Sequence, residues 1–453
     1  MLVEAWLARA AAARPEHLAL QTPSASWTYR ELHGAALAGA AELLARGAGP
    51  GVPVAIALPP GLEFAQALHA CLLTGAVAVP IDLRQPAAAR AKVASRAELV
   101  VEEPLRARAR GRGETGGQSR VADRAGPGAT HDLDAPAAVI HTSGTSAEPK
   151  AVALTYGNLL WSALGSAVAL GSPRDERWLC TLPVAHVGGL SILIRSAIYA
   201  TTAVVHERFD AERVVGVLRA GEVTIASLVA TTLARLLDAG LERPPHMRCA
   251  LTGGGPVPAE LLERASAAKV PVSITYGLTE SASQVSTTPL AEVGEGVRAG
   301  PGPPLFCTRV QIAADGEILV AGPTVAPGAL AEDGWLHTRD VGELDGAGRL
   351  RVTGRRSEVI ISGGQNVSPA KVEAALEAHP AVREAAVIAC ADAEWGEAVS
   401  AIVVWREGAE PDAAGVLELC ARVLAPYEVP KRILSRAEPL PRTASGKLVR
   451  REL

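Results

Sequence analysis

The sequence predicts an α/β protein: a large N-terminal domain of parallel-type sheets packed with helices, carrying a small β-rich subdomain, followed by a small α+β C-terminal domain. Three observations predict it. Helix-like stretches alternate with short apolar runs bounded by Gly and Pro, the rhythm of βαβ units. Between Gly294 and Gly354 that rhythm gives way to short alternating segments rich in Gly and Pro. From Ser357 onward a separate α+β pattern begins, and 453 residues exceed what one hydrophobic core supports. The expected units are residues 1–355, a junction at 356–357, and 358–453.

Taken in order, "YRELHGAALAGAAELLARG" spaces its apolar residues as a helix and closes on Gly47. "VPVAIALP" reads as a buried parallel strand, "GLEFAQALHACLLTG" as a second helix and "AVAVPID" as a second strand. From Pro86 to Thr130 the pattern decays, and "RARARGRGETGGQSR" reads as loop or poorly ordered surface whose arginines are either solvated or touch phosphate. The α/β rhythm resumes after His141 and runs to about Pro289. "AADGEI" carries an Asp-Gly hairpin signal inside the β-rich stretch. The last stretch reads strand, helix ("SPAKVEAALEAHP"), two strands ("VREAAVIAC", "AVSAIVVW"), helix and tail.

Composition narrows the function classes. Hydrophobic residues make up 48% and charged residues 20%, a soluble balance, and aromatics only 3%, so the core is expected from small aliphatic side chains. A net charge of -4 without a basic stripe argues against nucleic acid. The six cysteines are scattered without a C-x-x-C pair, as free thiols of a reducing cytosol would be, so a cytoplasmic location is expected. "MLVEAWLARA" does not read as a signal peptide, and the most apolar window, Phe64 to Val79, reads as a buried helix and strand instead of a membrane span.

Four segments carry chemistry. In "HTSGTSAEPKAVALTYGN", Thr142, Ser143, Gly144 and Thr145 precede Lys150, so backbone N–H groups, hydroxyls and an ammonium are available to wrap an oxyanion. The spacing rejects a Walker loop, because Pro149 stands before the lysine; an ordinary polar turn is the plainer alternative. "TYGLTESASQ" puts Tyr276, Gly277, Thr279 and Glu280 in one strand-exit turn, offering a ring for a base and a carboxylate for Mg²⁺. Asp340 and Arg355 flank a predicted hairpin, close enough for both to reach a ribose. "PRTASGKLVRREL" presents Lys447 on a Gly-Ser-Thr tip, where a lone lysine is ordinarily a solvated charge.

In this order the four segments resemble the adenylate-forming superfamily of acyl-CoA ligases, peptide-synthetase adenylation domains and luciferases, over essentially the whole chain. The resemblance implies a mobile C-terminal lid with its hinge at Ser357, and ATP, Mg²⁺ and coenzyme A as cofactor and co-substrates. It implies that Thr142, Ser143, Gly144, Thr145 and Lys150 hold the β- and γ-phosphates, Thr279 the α-phosphate and Glu280 the metal. It places Gly253, Gly254 and Gly255 of "TGGGP" beside adenine with Tyr276 and Gly277, and Asp340 and Arg355 at the ribose. Lys447 would bridge the attacking carboxylate and the α-phosphate, while Gly363 and Gly364 would admit the pantetheine arm or form a plain turn. Ser146, Ala147 and Ala151 depart from the common loop: Ser146 keeps a hydroxyl, the two alanines are expected to stiffen the loop, and Glu148 adds a negative charge near the phosphates, which leaves the effect on ATP affinity open.

For the acid, "RWLCTLPVAH" reads as a strand leading to His186, and "GGLSILIRSAIY" as a helix with Leu190, Leu193, Ile194, Ala197 and Ile198 facing the core. Gly188, Ser191 and Arg195 share one stripe. A cation on so apolar a helix needs a partner, either a core carboxylate or backbone carbonyls, or a second anionic group on the substrate. This segment and "TESASQVST" resemble o-succinylbenzoate–CoA ligases of menaquinone biosynthesis. That implies an aromatic dicarboxylic acid lined by His186, Ser191, Arg195 and Ser283, with His186 acting in the pocket, as a gate or in packing. The alternatives are a ligase for another aryl or medium-chain acid, and a nucleotide-binding protein without catalysis. The expected partners are small molecules, with a homodimer left open.

Overall fold

The computed structural model describes residues 1–106, 130–142, 150–293, 300–356, 360–362, 365–392, 396–442 and 448–453. Among these described residues five sheets form, and two of them build the body of the protein. In the eight-stranded sheet, Val272–Tyr276, Cys249–Thr252, Ile225–Leu228, Arg177–Cys180, Thr202–Val205 and Leu18–Gln21 are neighbours in that order, all parallel. Short antiparallel strands, Ser286–Thr287 and Ser26–Thr28, close its two edges. The five-stranded sheet runs Leu99–Val101, Pro53–Ile56, Val77–Pro80, Pro136–Thr142 and Lys150–Thr155, parallel except for the last pair.

Local chemistry explains the helices between these strands. Helix Tyr29–Ala45 starts from a reciprocal capping box, in which Glu31 N donates to Thr28 Oγ1 and Thr28 N donates to the Glu31 carboxylate. Helix Leu62–Thr74 stops at Gly75, which takes a left-handed φ of 72°. The scarcity of aromatics is met by close helix contact: a Cβ on Gly39 would lie 3.2 Å from Ala70. The small aliphatic core expected from composition is present, with Ala36, Ala40, Leu43, Ala67, Leu68 and Ala70 fully or almost fully buried.

The β-rich stretch is a four-stranded antiparallel sheet, Arg309–Ile312, Glu317–Ala321, Leu336–Leu344 and Leu350–Arg355, whose first two strands are the Asp-Gly hairpin. A separate hydrophobic cluster occupies residues 360–424. There helices Pro369–Glu377 and Ala413–Val423 accompany a sheet centred on Gly396–Trp405 and Val382–Asp392.

Three expectations need correction. The stretch from Pro86 to Thr130 is not all loop: Ala87–Ala94 is a helix and Leu99–Val101 an edge strand, because Val101 buries against the sheet and its backbone pairs with Ile56. "RARARGRGETGGQSR" falls within 107–129, outside the described residues, except for its first residue, Arg106. "RWLCTLPVAH" is a strand only over Arg177–Cys180, since the chain must leave the sheet before the helix that begins at Val187. The C-terminal tail holds a strand, Arg432–Arg436, that pairs in parallel with Gly396–Trp405.

Candidate active site

The parallel register of Cys249–Thr252 against Val272–Tyr276 delivers two loops side by side at the strands' carboxyl ends, where α/β sheets bind ligands. One is Gly253 to Gly255, the other Tyr276 to Glu280. The packing between them requires glycine: a Cβ on Gly253 would sit 2.8 Å from the Thr275 carbonyl oxygen. On Gly277 it would come within 1.5 Å of the Ser283 carbonyl oxygen, so no side chain fits there. The second loop contains a single 3₁₀ turn, Thr279–Ser281, and then two left-handed residues, Ala282 and Ser283, at φ 53° and 104°. Ser283 donates its N–H to the Leu278 carbonyl at 3.1 Å, which folds the turn back on itself.

Tyr276, Asp340 and Arg355 meet in one cluster. Asp340, 6% exposed, accepts the Tyr276 hydroxyl at 2.7 Å and Arg355 Nε at 2.9 Å. Asp340 and Arg355 are direct partners in the strand register, so the hairpin itself sets this pair. Burial first, and then the Asp340 charge, push the Tyr276 hydroxyl far above its usual pKa, which keeps it a proton donor. Arg355 remains half-exposed, leaving donors for a polyhydroxyl ligand.

Lys150 and Glu280 form a second cluster, with Nζ 3.0 Å from Oε1. Lys150 pairs in register with Thr142, so the two described flanks of the phosphate-type loop are held together. Glu280 is 18% exposed in its side chain and is fixed from behind, where its carbonyl accepts the Ala326 N–H. Ser143, Gly144 and Thr145 lie outside the described residues, as do Ser357, Gly363, Gly364 and Lys447. The flanks of Lys447 are described: Arg442 and Leu448 form an antiparallel bridge, and Val449 N donates to the Pro441 carbonyl at 2.8 Å. The C-terminal unit touches the N-terminal one where Arg406 meets Glu260 at 3.1 Å.

The acid-pocket residues are placed differently from one another. His186 precedes helix Val187–Tyr199, with Nε2 3.1 Å from Arg84 Nη2 and 3.5 Å from Asp82. Burial works to raise the Asp82 carboxyl, but hydrogen bonds from Arg84 and His186 outweigh it and hold Asp82 well below the usual range. Ser191 is buried, and its hydroxyl donates back to the Gly188 carbonyl. Arg195 is 2% exposed and lies over the Trp178 ring. Its Nη2 donates to Ser162 Oγ at 2.9 Å, and Ser162 donates to the Ala282 carbonyl at 2.6 Å. Arg195 is thus linked to the Ser283 turn through Ser162 and the Ala282 backbone. Sequence reasoning does not find Asp82, Arg84 or Ser162. For the first two a signal exists, because they directly follow strand Val77–Pro80 at its carboxyl end.

The AMP-binding enzyme model matches residues 7–330, and the AMP-binding enzyme C-terminal domain model matches 371–447. The chain belongs to the AMP-binding enzyme family. It is 37% identical to the 2-succinylbenzoate–CoA ligase of Bacillus licheniformis over 479 residues, covering 99% of this chain and 98% of that protein. Among solved structures it resembles the o-succinylbenzoate CoA synthetase of Bacillus subtilis in complex with the acyl-adenylate intermediate, with a TM-score of 0.87 and 34% identity over 100% of this chain and 98% of that one. The same enzyme in complex with ATP and magnesium ion matches with a TM-score of 0.86 and 34% identity, over 100% of both chains. The large α/β unit with a small C-terminal one is thus the fold of this family.

Proposed function

We infer that this protein is an ATP-dependent, AMP-forming ligase that joins 2-succinylbenzoate to coenzyme A. The observation that carries the reading is the Tyr276–Asp340–Arg355 cluster beside the Lys150–Glu280 pair, in a chain that aligns end to end with such ligases.

In the first half-reaction a substrate carboxylate oxygen attacks the α-phosphorus of ATP. The bond to the bridging oxygen breaks, giving acyl-adenylate and pyrophosphate. Two anions must meet, so the protein's work is electrostatic; one preorganised donor is worth roughly 10²–10³ in rate. Lys150 exchanges its Glu280 partner for phosphate oxygens, joined by Thr142, Ser143, Gly144 and Thr145. Thr279 donates at the α-phosphate, Asp340 and Arg355 hold the ribose, and Gly253 to Gly255 with Gly277 let backbone pass adenine beside Tyr276. Glu280 suits Mg²⁺, being a carboxylate that already faces a cation. When bound, the metal supplies positive charge to the phosphate oxygens.

Lys447, which in sequence lies between the bridged residues Arg442 and Leu448, would bring its ammonium to the attacking carboxylate. In the second half-reaction the coenzyme A thiol attacks the acyl carbonyl, loses its proton and expels AMP. The lid turns about Ser357, and Gly363 and Gly364 admit the pantetheine arm. His186, Ser191, Arg195 and Ser283 are proposed to shape the acid pocket, Arg195 by steadying the Ser283 turn. We place the enzyme in the cytoplasm, in line with its six unpaired cysteines. Among the described residues no helix is long and apolar enough to cross a membrane.

A second reading, a ligase for another aryl or medium-chain acid, has one observation in its favour: Arg195 faces Ser162 and Trp178 instead of an open pocket. Incubation with ATP, coenzyme A and a panel of acids, with mass detection of thioesters, separates the two. The succinylbenzoyl thioester should dominate; preference for an acid lacking the second carboxylate would overturn the substrate assignment.

A further inference from the structure

We propose that Glu317 is a positioning residue for the nucleotide ribose, acting through a bulge that presents Asp340; this rests on the reading of Asp340 as the ribose acceptor. Strands Glu317–Ala321 and Leu336–Leu344 do not pair evenly. Glu317 faces Val341 while Leu319 faces His337, so two extra residues are taken up on one side, around Arg339. Arg339 adopts a left-handed φ of 60°, a conformation that costs a non-glycine residue free energy and needs outside support. The support is Glu317, whose Oε1 accepts the Arg339 N–H at 2.7 Å.

Glu317 is only 4% exposed, and a carboxylate so buried requires compensation. Its other oxygen receives it from His337 Nδ1 at 3.3 Å and Arg356 Nη1 at 3.4 Å. Arg356 also pairs with Asp315 at 2.8 Å, so this cation has two acidic partners, one in the hairpin turn and one on the strand that follows it. On the next residue, the Asp340 N–H is taken by Thr338 Oγ1 at 3.1 Å. Thr338 in turn donates to the Ile318 carbonyl at 2.7 Å. The backbone N–H groups of Arg339 and Asp340 are thus held by Glu317 and Thr338. The bulge turns Asp340 toward Tyr276 and Arg355. Without the Glu317 acceptor the regular ladder competes, and Asp340 loses its aim.

The test measures pyrophosphate release with ATP and with 3′-deoxy-ATP for wild type, Glu317→Ala and Glu317→Gln, with thermal melts to confirm folding. Wild type should prefer ATP about tenfold or more, the worth of a hydrogen bond to a charged group. In Glu317→Ala the preference should shrink to about twofold or less, through a raised KM for ATP, with 3′-deoxy-ATP turnover nearly unchanged. Glu317→Gln keeps an acceptor for Arg339 but loses the charge facing Arg356, and should retain an intermediate preference. If either folded variant loses kcat/KM equally for both nucleotides, Glu317 is merely structural and the proposal is overturned. Should wild type show no preference, the ribose assignment of Asp340 fails, and Glu317's role falls with it by that separate signature.

Discussion

Asp340 Oδ1 accepts Arg355 Nε at 2.9 Å across a register pair, while its other oxygen accepts the Tyr276 hydroxyl at 2.7 Å from a different sheet. One carboxylate thus ties the β-rich subdomain to the carboxyl end of the large parallel sheet. Asp340→Ala should raise the KM for ATP by roughly 10–100-fold, the cost of a lost hydrogen bond to a charged group, with a smaller effect on the KM for the acid. Steady-state kinetics with each substrate varied in turn checks this. Equal effects on both constants would count against the ribose role.

The Lys150–Glu280 pair predicts that activity and stability separate. Lys150 is largely exposed, so the ion pair contributes only about 0–1 kcal/mol to folding. Lys150→Ala should leave the melting temperature nearly unchanged and lower adenylate formation by roughly 10²-fold or more. Glu280→Gln should raise the magnesium concentration needed for half-maximal rate. Melting curves beside a magnesium titration decide both points.

Gly277→Ala tests the turn geometry. A Cβ there would meet the Ser283 carbonyl oxygen at 1.5 Å, so the Thr279–Ser281 turn must open. The expected result is destabilisation of about 1–3 kcal/mol or more by chemical denaturation, together with loss of ATP binding. A stable variant with normal affinity would mean the turn is not needed closed.

Buried histidines set an acid limit. Burial, with repulsion from His131 and His33, pushes His69 down to about 3, and burial brings His131 to about 4. Unfolded, both titrate near 6.5, so their full stability is present above that pH. As pH falls below 6.5 the unfolded chain takes up protons that the folded one refuses, and stability declines until the folded values are reached. At pH 5 the loss should be about 2 kcal/mol per histidine. Urea midpoints at pH 7 and pH 5 measure it, and His131→Phe should flatten the difference.

Legibility followed the range of the interactions. Helices Tyr29–Ala45 and Leu62–Thr74 were readable because periodicity and their end signals, a capping box and a glycine stop, are local. Asp340 and Arg355 were readable because one hairpin joins them. The strand Leu99–Val101 leaves no local signal, because what orders it is pairing with Pro53–Ile56, over forty positions earlier in the chain. Asp82 and His186 meet across 104 residues, and Arg195 finds Ser162 on a neighbouring helix, so no spacing could announce either contact. Glu317 stayed hidden for another reason: a bulge changes which residues face each other, and a regular strand pattern carries no trace of it.

The most direct measurement is exchange of labelled pyrophosphate into ATP without coenzyme A. Attack of the acid on the α-phosphorus predicts exchange that requires 2-succinylbenzoate and magnesium, persists without the thiol and falls by orders of magnitude in Lys447→Ala. Exchange that appears only with coenzyme A, or release of ADP and phosphate in place of AMP and pyrophosphate, would contradict a free-standing adenylation step.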